Sequence, residues 1–141
     1  MELETGYYRI KSLTQKIIGR ALHESSDSSP KPILSKTDDK NAVWLVEKLE
    51  NGRYRLSTKG APTGVDPHNL NAVVALLDDQ EDAVEWDLIR FLSPPNVLKY
   101  HIKHPLENRM WTAKYTEATQ VILRPFDRHP ETLLIFEPVK A

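Results

Sequence analysis

Hydrophobic and polar residues alternate in short stretches along this chain, and three of these stretches begin with a tyrosine. Tyr8, Tyr54 and Tyr100 are spaced 46 residues apart, and each is followed by Arg or His and then by Ile or Leu. This alternation is typical of a half-buried β-strand, in which successive side chains point to opposite faces. An equal interval of this length indicates a repeated structural unit. Three such units nearly fill the 141 residues.

Each unit contains further short apolar stretches and closes on an aromatic residue. The closing residues are Trp44, Trp86 and Phe136, which follow their tyrosines by 36, 32 and 36 residues. We assign these three to equivalent fourth strands and to the core. The pattern predicts an all-β chain with one domain over residues 1–141. Its predicted architecture is a β-trefoil of twelve strands in three pseudo-symmetric four-strand repeats, at approximately residues 6–48, 49–92 and 97–139.

The second repeat has two ambiguous segments. Residues 60–64 contain two Gly and one Pro, so we expect only a short or irregular edge strand there. Residues 69–91 also fit an amphipathic helix, because short apolar runs do not distinguish helix from strand by periodicity. The register of Trp86 relative to Tyr54 favours strands.

Composition narrows the class of protein. The chain has 19 basic and 20 acidic residues, so it has no overall positive field for nucleic acid or anionic lipid. It has no Cys, which excludes disulfides and a thiol nucleophile. Its first residues lack the pattern of a secretory signal, and no apolar run approaches the ~20 residues of a membrane span. We expect a soluble, cytoplasmic monomer without a cofactor or metal site.

Several segments together resemble the mushroom β-trefoil serine protease inhibitors, often called mycospins. These segments are residues 6–10, the Gly19-Arg20 pair, the Trp44 strand with residues 51–56, residues 60–64 and the Trp86 strand. The resemblance covers nearly the whole chain. It implies a fungal, cysteine-free trefoil that is not an enzyme and that blocks a trypsin-like protease with one exposed loop. Different members of that family use different loops.

An inhibitor of this kind presents a substrate-like segment whose P1 residue, just before the scissile bond, fills the S1 pocket of the protease. Trypsin selects Arg or Lys at P1 through a buried Asp. Arg128 is the first candidate, since the prolines at 125 and 130 restrict the backbone around it. Its flanking residues are Phe126, Asp127, His129 and Pro130. Asp127 would be unfavourable at P2, and an ordinary turn arginine is the alternative interpretation.

Two other loops are weaker candidates. The polar segment 24–31 has Ser26, Asp27 and Ser28 at its centre, so it fits a protease that prefers an acidic or small P1 residue. Lys31 is basic, but Pro32 follows it and would block that bond. Arg109 on a hairpin tip is the third candidate. Ordinary surface loops are the alternative in both cases.

Two other functions remain open. Trefoils also serve as carbohydrate-binding modules, although the Gln-x-Trp pattern typical of trefoil lectins is absent from the ends of these repeats. An inhibitor of cysteine proteases that uses other loops is the second alternative.

Overall fold

A computed structural model describes residues 3–91, 96–115, 119–125 and 130–139. Twelve strands lie in these ranges, with short 3-10 helices at Gln80–Asp82 and Pro130–Thr132. The strands are β1 (Gly6–Ser12), β2 (Ile17–Ile18), β3 (Lys31–Pro32), β4 (Trp44–Lys48), β5 (Tyr54–Thr58), β6 (Ala61–Asp66), β7 (Asn69–Ala75), β8 (Asp87–Arg90), β9 (Leu98–Lys103), β10 (Arg109–Thr112), β11 (Ile122–Pro125) and β12 (Leu134–Pro138). The predicted all-β trefoil is confirmed.

Six strands form a closed barrel. β12, β1, β4 and β5 pair in that order, and β12 also pairs with β9, which pairs with β8. Tyr54 and Trp86 close the ring between β5 and β8, because each backbone N–H donates to the carbonyl of the other at 2.9 and 2.8 Å. The barrel strands are therefore the three that contain the repeated tyrosines and the three that end the repeats.

The other six strands cover one end of the barrel, where a ring of three backbone hydrogen bonds joins the repeats. The N–H of Ile33 donates to Val73, that of Val73 donates to Val121, and that of Val121 donates back to Ile33, at 3.2, 3.0 and 2.7 Å. All three side chains are fully buried. This ring marks the pseudo-threefold axis.

The three aromatic residues predicted to close the repeats are all buried in the core, but one of them is not in the equivalent register. Tyr8 pairs with Trp44 and Tyr54 with Trp86, whereas Tyr100 pairs with Leu134. The assignment of Phe136 as the equivalent of Trp44 and Trp86 is therefore wrong by two residues. A third tryptophan, Trp111 of β10, is also fully buried. Its ring lies 5.7 Å from Trp44 and 5.4 Å from Trp86.

The glycine-containing strand of the second repeat is longer than its sequence suggests. Ala61–Asp66 is a six-residue strand paired on both sides, so the prediction of a short edge is wrong, although the β6–β7 register does shift between Val65 and Asp66. A Cβ at Gly64 would lie 2.8 Å from Leu76 Cδ1 and 3.3 Å from the Asp82 carbonyl. The absence of a side chain at Gly64 therefore permits close packing. Residues 69–91 form strands and one 3-10 turn, so the helical alternative is also wrong.

Candidate functional site

The first predicted site falls largely outside the described residues. Phe126, Asp127, Arg128 and His129 are not described, whereas Pro130 begins the 3-10 helix before β12. The structure therefore describes Pro125 and Pro130, the residues on either side of this four-residue segment. Arg128 as the P1 residue stays a prediction.

Hydrogen bonds fix both ends of that segment to β10 and the residues after it. Pro125 ends β11 opposite Arg109. On the other side, the Pro130 carbonyl accepts hydrogen bonds from Tyr115 Oη at 2.9 Å and from the Leu133 N–H at 3.1 Å. Pro125 and Pro130 are thus both attached to the stretch of chain from Arg109 to Tyr115.

Glu131 strengthens this attachment. Its carboxylate accepts a hydrogen bond from the Tyr115 N–H at 2.9 Å, and its carbonyl accepts one from the Ala113 N–H at 3.0 Å. Tyr115 therefore holds two successive residues of the 3-10 helix. We call Tyr115, Pro130 and Glu131 the tyrosine clamp.

The second predicted site, the loop between β2 and β3, is described throughout and is organised around Asp27. Asp27 Oδ1 accepts hydrogen bonds from the Ser29 N–H at 3.2 Å, from Ser25 Oγ at 3.2 Å and from the hydroxyl of Ser29. Lys31 Nζ donates to the same oxygen at 2.9 Å. These bonds, first those from Ser29 and then that from Lys31, hold the pKa of Asp27 well below its usual range.

Lys31 fastens the two ends of this loop together from inside. Its side chain is 3% exposed, and Nζ also donates to the carbonyl and the hydroxyl of Ser25 at 2.9 and 2.7 Å. Lys31, near the end of the loop, thus holds Ser25, near its start. We call the bonds of Lys31 to Ser25 and Asp27 the clasp. The sequence argument considered Lys31 only as a P1 residue and missed this role.

The outer residues of the loop differ in whether their side chains are hydrogen-bonded. Ser28 Oγ donates to Asp78 Oδ2 on the loop after β7. Ser26 is exposed, and its side chain has no hydrogen-bond partner within the described ranges. Of the predicted trio Ser26, Asp27 and Ser28, only Ser26 can therefore meet a partner without breaking a bond of the loop.

The base of the same loop is held by a buried arginine. Arg20 is 7% exposed and donates to Glu24 through two bonds of 3.0 and 2.6 Å, and to the Thr58 carbonyl at 3.1 Å. Partial burial acts to raise the pKa of Glu24, but the hydrogen bonds and charge of Arg20 outweigh it and lower the pKa.

The third candidate, Arg109, is tied to its surroundings. Its guanidinium donates to Glu107 at 2.8 Å, to the Leu70 carbonyl at 3.1 Å and to Asn71 Oδ1 at 2.8 Å. A P1 side chain has to leave its own protein and enter the S1 pocket, so insertion of Arg109 would require breaking these bonds.

In the described part of the chain, no cluster of three or more His, Asp or Glu side chains is arranged to hold a metal ion. The same residues include no helix long and apolar enough to span a membrane.

Comparison with known families decides what this scaffold is. The sequence matches the family described as peptidase inhibitor I66 over residues 1–139. The chain belongs to the peptidase inhibitor I66 family. The resemblance to β-trefoil protease inhibitors is thereby confirmed, and a protease is the class of partner that membership of this inhibitor family implies.

Solved structures agree on the fold. A proteinase inhibitor from Coprinopsis cinerea superposes with a TM-score of 0.79 at 24% identity, over 98% of this chain and all of that one. The Macrolepiota procera ricin B-like lectin, solved with lactose, gives a TM-score of 0.71 at 16% identity over 99% of both chains. The BEL β-trefoil gives 0.68 at 14% identity, over 99% of this chain and 97% of that one. No curated protein matches this I66 inhibitor chain significantly in sequence.

Proposed function

We propose that this I66 inhibitor blocks a trypsin-like serine protease by presenting Arg128 as the P1 residue. The observation that carries the proposal is the attachment of Pro125 and Pro130, on either side of residues 126–129, to β10 and the tyrosine clamp. We expect the two prolines, which restrict the backbone on either side, to reduce the conformational freedom that Arg128 loses on binding. Family membership supports the protease as partner.

In the proposed mechanism, Arg128 enters the S1 pocket and its guanidinium pairs with the buried Asp of the protease. His129 follows as P1′, so the bond after Arg128 is not blocked by a directly following proline. Binding is reversible and forms no covalent product, because occlusion of the protease cleft through an interface of about 1,600 Å² can by itself give tight binding. One loop of one chain is enough, so we also propose that the inhibitor acts as a monomer.

The test is a tight-binding titration of trypsin with four proteins: the unchanged inhibitor, Arg128→Ala, Arg128→Lys and Arg109→Ala. Loss of a central buried anchor should cost about 4 kcal/mol, or roughly a thousandfold in affinity, for Arg128→Ala. Arg128→Lys should retain most of the affinity because trypsin also accepts Lys.

Arg109→Ala is the control for an arginine on a neighbouring hairpin and should inhibit as well as the unchanged protein. If Arg128→Ala inhibited trypsin as well as the unchanged protein does, residues 126–129 would not contain the inhibitory site. Loss of inhibition in Arg109→Ala alone would move the site to the third candidate.

A second candidate function rests on the β2–β3 loop. Its internal bonds leave Ser26 exposed and use the Asp27 carboxylate, which favours a protease with a small S1 pocket, such as elastase, over one that selects acidic residues. The test uses the Arg128→Ala background. There, Ser26→Arg should abolish inhibition of elastase and create inhibition of trypsin, and failure to inhibit either enzyme would exclude this loop.

A further inference from the structure

A groove of about 570 Å³ lies on the outer face of β1, β4 and β5, apart from the three candidate inhibitory loops. The segment 39–43 before β4 and the turn at Lys59 and Gly60 form its walls. Its size falls within the roughly 300–1,000 Å³ of small-molecule sites. None of the inhibitory roles proposed above uses it.

The floor of the groove offers an aromatic ring beside apolar surface. Tyr7 lies opposite Leu45 in the β1–β4 pair, and Leu45 lies opposite Ser57 in the β4–β5 pair. The Tyr7 side chain is 49% exposed, although the next residue, Tyr8, is buried in the core. Such an exposed ring is available to pack against an apolar face of a ligand.

A buried carboxylate also lines the groove. Asp39 is 8% exposed, and its Oδ1 accepts a hydrogen bond from the Asn41 N–H at 3.0 Å. Its other oxygen has no donor among the residues that the structure describes. This oxygen is not fully buried, so it can accept a hydrogen bond from a donor outside the chain.

The charges around the groove balance. Asp39 and Glu47 are matched by Arg55 and Lys59. Glu47 and Arg55 are direct cross-strand neighbours, yet they form no ion pair within the described ranges. Both side chains are therefore free to bind a ligand, and the balance favours a neutral ligand over an ion.

We propose that this groove binds a neutral saccharide. A pyranose ring has an apolar C–H face that can pack on Tyr7 and a rim of hydroxyls that both donate and accept hydrogen bonds. Asp39 and Glu47 would accept from these hydroxyls, Arg55 would donate to them, and the Asn41 amide can do both. Charge-assisted bonds of this kind are the stronger ones.

The test is calorimetric titration with cellobiose, maltose, lactose and N,N′-diacetylchitobiose, together with a glycan array. We expect saturable binding of at least one glycan, with a dissociation constant of roughly 0.1–1 mM for a disaccharide. Tyr7→Ala and Arg55→Ala should each weaken it by about tenfold.

Phe91→Ala is the matched control, because Phe91 is 45% exposed and does not line the groove. It should bind as the unchanged protein does, and circular dichroism should show that all variants fold. No binding to any of these sugars or to the array would overturn the proposal, as would binding that Tyr7→Ala leaves unchanged. Calorimetry and the glycan array measure sugar binding without a protease, so their results do not depend on the outcome of the trypsin titration.

Discussion

Lys31 illustrates how burial changes the meaning of a residue. In the sequence it is a basic residue beside a polar loop and invites comparison with a P1 lysine. In the structure its ammonium is buried and its three bonds to Ser25 and Asp27 are all local. Its charge therefore orders the loop and is not available to a protease.

Replacing Lys31 with Met should loosen the loop while keeping the length of the side chain. Hydrogen bonds to charged groups contribute about 1.5–3 kcal/mol each, and Met supplies none. Because the partners Ser25 and Asp27 are exposed to water, we expect a net loss of about 1–3 kcal/mol in the free energy of unfolding by urea, less than the sum of three such bonds. The Ser29 amide proton should also exchange faster. Exchange unchanged from the parent protein would refute the clasp role of Lys31.

Asp27 should make the loop sensitive to acid. Its pKa is lowered in the folded protein, so the stabilisation it gives is fully present above the usual carboxyl pKa of about 3.9 and is lost as the pH falls through the lowered value. The measurement is the free energy of unfolding of the parent minus that of Asp27→Asn. This difference should be largest above about pH 5 and should shrink below about pH 4. A difference independent of pH would contradict the assigned bonds.

The sequence predicts core residues well where they repeat and poorly where they do not. Tyr8, Tyr54 and Tyr100 are buried at equivalent positions of the three repeats, so their equal spacing in the sequence identifies them. Trp111 has no aromatic counterpart at the same offset in the other repeats, yet its ring packs against Trp44 and Trp86 from those repeats. Such packing between repeats depends on the three-dimensional arrangement, so no local pattern could reveal it.

At the scale of elements, the important feature is that hydrogen bonds join the short 3-10 helix before β12 to a tyrosine after β10. The turn after β10 carries Tyr115, whose hydroxyl and backbone N–H bind successive residues of Pro130–Thr132. Element boundaries of this kind depend on side-chain bonds between distant segments. The sequence argument therefore selected the prolines at 125 and 130 but not the tyrosine that holds one of them.

Tyr115→Phe should weaken inhibition of trypsin without altering the fold. The lost bond to the Pro130 carbonyl lies at the surface, so we expect about 0.5–1 kcal/mol, or roughly a two- to fivefold faster dissociation of the trypsin complex. Tyr7→Phe is the control, because it removes the hydroxyl of an exposed tyrosine on β1 that does not belong to the clamp. Dissociation rates that are equal for both variants would exclude a role for the clamp.

Strand β6 shows that Gly and Pro do not always mark a short edge strand. Gly64 lies in a strand paired on both sides, where Leu76 and the Asp82 carbonyl approach closely. The same residue types thus serve turns and tight packing, and sequence alone does not distinguish them.

At the scale of the whole molecule, the barrel and the ring of three hydrogen bonds join all repeats into one unit. Ile33, Val73 and Val121 belong to different repeats, so each of the three hydrogen bonds joins two repeats. We therefore expect the molecule to unfold cooperatively rather than repeat by repeat.

Native-state hydrogen exchange tests this expectation. The amide protons of Ile33, Val73 and Val121 should exchange only through global unfolding, with free energies equal to that from urea denaturation. If one of the three exchanged several kcal/mol more easily than the others, the repeats would unfold separately.

The clasp formed by Lys31 has a practical consequence for protein engineering. Because Lys31 binds Ser25 and Asp27 within the loop and Ser26 takes no part in these bonds, residue 26 can be changed without breaking them. A library at that single position would therefore vary the side chain that the loop presents to a target. Transfer of residues 25–31 to another trefoil would also require the Arg20–Glu24 pair and Asp78, because these residues hold the loop from outside.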